Sequence, residues 1–131
     1  MLKKIVATIG QSFEATCCVL RPIEGENLAP DEFFYKSNNT ESDDCCFNPI
    51  PLMEKVLLSR KCEVSEYTSE NGESHTLLAV PLTYQQHLQA ILALHQQEPH
   101  RKWQHEDIEL ISGVAEQAAL ALSQAKLYQS L

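Results

Sequence analysis
Apolar residues at Leu2, Ile5, Val6, Ile9 and Phe13 recur three and four positions apart, so the chain opens as an amphipathic helix ending near Gly10 to Ser12. Ala15 to Leu20 is a short apolar run that reads as a buried strand, broken by Pro22, Gly25 and Asn27. Glu32 to Lys36 carries Phe33, Phe34 and Tyr35 in succession and reads as a second strand, joined to the first as a hairpin. The polar, acidic stretch from Ser37 to Asp44 reads as a surface loop. Pro49 and Pro51 then suit a first helical turn, with Leu52, Met53, Val56 and Leu57 on one side of a short helix.

Cys62, Val64 and Tyr67 mark a further short strand, followed by a loop over Ser69 to Ser74 centred on Asn71-Gly72. Two long strands are expected next, Thr76 to Thr83 and His87 to Gln96, with a tight turn at Tyr84 to Gln86. In the second, Leu88, Ala90, Leu92 and Leu94 alternate with Gln89, Ile91, Ala93 and His95, so both faces are largely apolar and the strand belongs at the centre of a sheet. Trp103 to Leu131 reads as a long helix, apolar almost all the way round, with Glu106 and Asp107 near its positive end.

This order of elements predicts a single α+β domain over residues 1–131. A central antiparallel sheet of five or six strands would carry the N- and C-terminal helices on one face, with the short helix and loops on the other. In the last helix, Leu110, Val114 and Ala121 are expected to face the sheet. Ile111, Ala115, Ala118, Leu122 and Ala125 form a second stripe for a helix partner, either the N-terminal helix of the same chain or a second subunit in a four-helix interface.

Composition changes this picture mainly by exclusion. The 131 residues are 44% hydrophobic and 21% charged, within the range of an ordinary globular domain, and no apolar run reaches the roughly 20 residues of a membrane span. The opening apolar run is too short for a secretory leader, so a cytoplasmic protein is expected. The formal net charge of -8 disfavours nucleic acid and anionic membrane surfaces as partners. Five cysteines, an odd number with vicinal pairs at Cys17-Cys18 and Cys45-Cys46, do not form a secreted disulfide framework and are expected to be reduced.

The segments Leu77-Leu78-Ala79-Val80-Pro81-Leu82, Gln89 to Gln96, Trp103, Asp107 to Ile111 and Val114 to Ala119 together resemble the C-terminal half of a GAF domain. The likeness is to those of cyanobacterial sensor histidine kinases and bilin-binding photoreceptors. It implies a sensory module in a longer two-component signalling chain with an adjacent kinase or other output domain, homodimeric through its terminal helices. Covalent bilin attachment in the similar photoreceptors uses a cysteine commonly followed by histidine. No Cys-His pair occurs here, because Cys62 is followed by Glu63.

Candidate chemistry is correspondingly sparse. Adjacent cysteines on a strand point to opposite faces, unlike the C-x2-C turns that aim two sulfurs at one metal, so neither a metal nor a cofactor is expected. A cysteine-based redox or iron-sulfur sensor is the alternative that the thiols leave open. No catalytic constellation links the five histidines to carboxylates or thiols, and a noncatalytic domain is expected. The candidate ligand pocket comprises Phe33, Tyr35, Met53, Val80, Ile91 and His95. The rival to a sensor is a structural dimerisation module whose pocket is filled by its own side chains.

Overall fold
The computed structural model describes residues 2–13, 15–30, 32–36, 48–68, 72, 74–97 and 104–129, with backbone alone at 2, 97 and 125–129. Six strands form one antiparallel sheet. The chain order is α1 (Leu2–Ser12), β1 (Cys17–Glu24), β2 (Asn27–Leu28), β3 (Phe33–Lys36), α2 (Ile50–Ser59), β4 (Glu63–Thr68), β5 (Ser74–Tyr84), β6 (His87–Gln97) and α3 (His105–Gln129). Across the sheet the order is β2-β1-β6-β5-β4, and β3 also pairs with β1. Trp103 and the loop expected over 37–44 lie outside the described residues.

β6 is central, as its two apolar faces require, with β1 on one side and β5 on the other. Its alternation is interrupted once. Leu82 pairs with Ala90 but Thr83 pairs with Leu88, so Gln89 is an extra residue, a bulge. The bulge turns Leu88 to the face carrying Ile91 and Ala93, away from Ala90, Leu92 and Leu94. β1 runs past Pro22 rather than ending there, and its turn comes at Gly25-Glu26, where Gly25 takes a φ of 63°. Its first half pairs with β3 and its second half with β2, so the expected simple hairpin is divided between two partners.

Each face of the sheet has its own core. On one, Val6, Ile9 and Phe13 of α1 and Ile111, Ala115, Ala119 and Leu122 of α3 cover Cys18, Leu20, Leu78, Val80, Leu92 and Leu94. On the other, Leu52, Met53 and Val56 of α2 cover Val19, Leu77, Ala79, Ile91 and Ala93. Terminal helices on one face and the short helix on the other is the arrangement the element order predicts. Gly10 lets α1 approach β3: a Cβ there would sit 2.3 Å from the Tyr35 ring.

The helix ends follow from local sequence. Asn48 Oδ1 accepts from the Ile50 amide at the start of α2, and Arg60, left-handed at φ 61°, closes it by donating its N–H to the Val56 carbonyl. At the start of α3 the Asp107 carboxylate accepts from the Gln104 amide, while Glu106 adds charge in the same turn.

The α3 stripe expected to meet a helix partner lies in the core that the sheet shares with α1, and the stripe expected to face the sheet does not. Ile111, Ala115, Ala118 and Leu122 are buried in the chain's own core, whereas Leu110 is 62% exposed and Val114 and Ala121 are half-buried. Contact with the sheet selected the stripe that combines a branched aliphatic with small alanines, because alanines let the helix lie close to β5. The side chain of Ala125 lies outside those described.

Candidate functional site
Strand parity decides which side chains meet. The face under α2 receives Ser65 and Tyr67 from β4, Leu77 from β5, and Ile91 and Ala93 from β6. Pro51, Leu52 and Lys55 of α2 overhang its β4 edge, leaving a groove of about 350 Å³ that also touches Asn48. Its floor is apolar, from Leu52 and Leu77, and its rim carries one ammonium, one amide, one hydroxyl and the Tyr67 ring. Such a groove suits a small molecule with an apolar body and a polar or anionic end. Beyond the groove toward the sheet centre, Met53 and Val56 are fully buried, so α2 itself fills the middle of this face.

Beside the groove three rings form a cluster. Tyr67 lies parallel to His75, with centroids 4.8 Å apart and planes within 8°. The His75 and His95 rings are within 15° of parallel, with centroids 5.0 Å apart, and His75 Nδ1 is 2.8 Å from His95 Nε2. That distance and ring spacing describe an edge-to-edge hydrogen bond in which one nitrogen donates and the other accepts. Only one proton fits between the rings, so the pair resists a second charge. His95 is 5% exposed, and burial, aided by the neighbouring charge of His75, lowers its pKa from 6.5 to about 4. At neutral pH His95 is therefore an uncharged imidazole with a lone pair.

The six pocket residues expected from sequence do not gather in one cavity. Met53, Ile91 and His95 share the α2 face, whereas Phe33, Tyr35 and Val80 lie on the opposite face with α1 and α3. Register is the cause: Phe33 pairs with Leu20, Tyr35 with Cys18 and Val80 with Leu92, all of which point to the terminal helices. Tyr67, His75, Lys55 and Ser65 are the residues that sequence reasoning missed. Tyr67 and His75 sit opposite each other in the β4–β5 register, a relation visible only once the two strands are aligned.

A second, open hollow of about 830 Å³ lies at the β5–β6 turn, where Arg60 and Lys61 face Ser112 and Glu116 of α3. Gln85 and Gln86 form its two-residue turn, both with positive φ, 51° and 65°. Cys62 Sγ and Ser112 Oγ are 3.4 Å apart on its wall and link the start of β4 to α3. This hollow contains none of the expected pocket residues except Val80.

Cysteine chemistry differs between the faces. Cys18 is buried under the terminal helices, and desolvation pushes its thiol far above the usual range, so it is inert. Cys17 is disulfide-bonded, which corrects the expectation of reduced cysteines, whereas Cys18 and Cys62 are free. Among the described residues no group of three or more His, Cys, Asp or Glu side chains could hold a metal ion. No helix among them is long and apolar enough to cross a membrane.

A family model described as "GAF domain" matches residues 1–122. Among solved structures, the second GAF domain of DevS from Mycobacterium smegmatis is similar at 18% identity and a TM-score of 0.73, over 98% of this chain and 95% of that one. The GAF domain of a two-component sensor histidine kinase from Bacillus halodurans is 13% identical, with a TM-score of 0.68 and 98% coverage of both chains. The blue-light absorbing form of the Thermosynechococcus elongatus PixJ GAF domain is 15% identical, with a TM-score of 0.62 over 98% of this chain and 86% of that one. No curated protein matches.

Proposed function
Because the chain belongs to the GAF domain family, we propose that it is a noncatalytic sensory or regulatory module of a two-component signalling protein, acting as a cytoplasmic homodimer. Its state passes through the terminal helices to an adjacent kinase or other output domain. The observation that carries this reading is the placement of both terminal helices on one face of the sheet and the groove on the other. Only one layer separates them: Leu77 and Ala79 of β5 face the groove side, while Leu78 and Val80 of the same strand support α3. A ligand that binds one arrangement of β4 and β5 better than another shifts the seat of α3 by that difference in affinity.

The similar kinase and photoreceptor domains support this role by fold. Occupying the groove from within tests it: Ser65→Trp places a ring where a ligand would lie. The reading predicts changed hydrogen exchange in α3 amides around Ile111 to Leu122, across the sheet from the substitution. Changes confined to β4 and α2 would contradict a relay.

A second reading, a dimerisation scaffold with a filled pocket, is favoured by one observation, the full burial of Met53 and Val56 against the sheet. It predicts the same dimer but no retained or added ligand.

A further inference from the structure
Among the described residues the non-glycine positions with positive φ are Arg60 at 61°, Gln85 at 51° and Gln86 at 65°, and all of them line the hollow at the β5–β6 turn. Gly25, at φ 63°, lines it as well. A left-handed backbone favours glycine or asparagine, both at the residue that closes a helix and at the centre of a tight hairpin turn. Long polar side chains stand here instead. Two separate connections, α2–β4 and β5–β6, thus bring strained backbone to one place, and strain of this kind collects where side chains clamp a ligand.

Charge points the same way. Arg60 and Lys61 are exposed, and among the described residues neither side chain is paired with a carboxylate. In a chain of net charge -8, two adjacent unpaired cations reverse the local field. Across the hollow α3 presents Ser112 and Glu116, one turn apart, while Ile23 and Leu88 add an apolar patch. The volume of about 830 Å³ is in the range of small-molecule sites.

We infer that this hollow is a second ligand site, for a small organic oxyanion, a phosphate or a carboxylate, whose body carries hydroxyl or amine donors. The Arg60 guanidinium and the Lys61 ammonium hold the anionic head through charge-assisted hydrogen bonds. The side-chain amides of Gln85 and Gln86 both donate to and accept from the body, and Ser112 and Glu116 accept from its donors. Glu116 repels the head and so sets its direction, toward the α2–β4 corner. The bound molecule bridges that corner to α3, the helix proposed to carry the output. The hollow shares no lining residue with the groove under α2, so its ligand is distinct from the one read for that groove.

The test is an NMR titration of the native domain with glycerol phosphate, L-glutamate and inorganic phosphate at low millimolar concentration. Saturable shifts are expected at the amides of Arg60 to Cys62 and Gln85 to His87 together with Ser112 and Glu116. At least one of the two organic anions should bind at least about tenfold more tightly than inorganic phosphate, and which one does so tells a phosphate head from a carboxylate. Arg60→Gly relaxes the backbone and removes the guanidinium, so the thermal midpoint should rise while affinity falls at least about tenfold. Gln86→Gly should also raise the midpoint and weaken binding, and Lys61→Gln gives the affinity readout if Arg60→Gly folds poorly. Absence of saturable shifts with both organic anions, equal binding of inorganic phosphate, or affinity unaltered in the Arg60 and Lys61 variants overturns the assignment. Shifts confined to Lys55, Ser65 and Tyr67 put the anion in the groove and overturn it too.

Discussion
His95 shows how one side chain carries both local chemistry and global stability. Its folded-state pKa, about 4, lies below the ordinary 6.5, so folded protein holds fewer protons there than unfolded protein in between. Its contribution is complete above about pH 6.5 and is lost as pH falls through about 4. Urea midpoints measured from pH 7 to 4 should therefore fall more steeply for the native chain than for His95→Asn; parallel curves would contradict the assignment. Gly10 is a second residue with a direct consequence. Alanine there gains helix propensity of about 1 kcal/mol but drives its methyl into the Tyr35 ring. Overpacking of this kind costs about 1–3 kcal/mol, so Gly10→Ala should lower the thermal midpoint, whereas Gly113→Ala, with open space around it, should raise it. Neither the Gly10–Tyr35 contact nor the His75–His95 pair is legible in the sequence, because each joins residues whose proximity depends on pairings between distant strands and helices.

At the scale of elements, legibility tracks periodicity. The long strands, the short proline-led helix and the central position of β6 all follow from alternation and turn residues. The bulge at Gln89 does not, because an extra residue leaves no mark in a run that is apolar on both faces. The same limit explains α3. A helix with apolar residues on nearly every side does not announce which stripe meets the sheet, and the stripe expected to meet a helix partner is the one the sheet covers. This reversal has a measurable consequence. Ile111→Ala removes a fully buried side chain and should cost about 2–5 kcal/mol in denaturant unfolding. Leu110→Ala, at a position exposed in the single chain, should change the stability of the monomer by no more than about 0.5 kcal/mol. Equal losses at the two positions would refute the observed facing of the helix.

For the whole molecule, two unlike layers are held apart by one sheet. The α1–α3 layer is the larger core, and Cys18, buried beneath it, is chemically silent. The α2 layer carries the groove and the paired histidines. The candidate pocket read from sequence drew on both layers, because residue type alone does not report the face; strand register divides it into three residues on each. The outward stripe of α3, including exposed Leu110 and Gly113, is what remains for a second subunit once Ile111, Ala115, Ala118 and Leu122 are committed to the core. Native mass spectrometry of the domain at micromolar concentration, beside Leu110→Arg, tests this account most directly. A dimer mass is expected for the native chain, with a retained or readily added small ligand, and a folded monomer for the variant. A native chain that is monomeric and carries no added mass would contradict it.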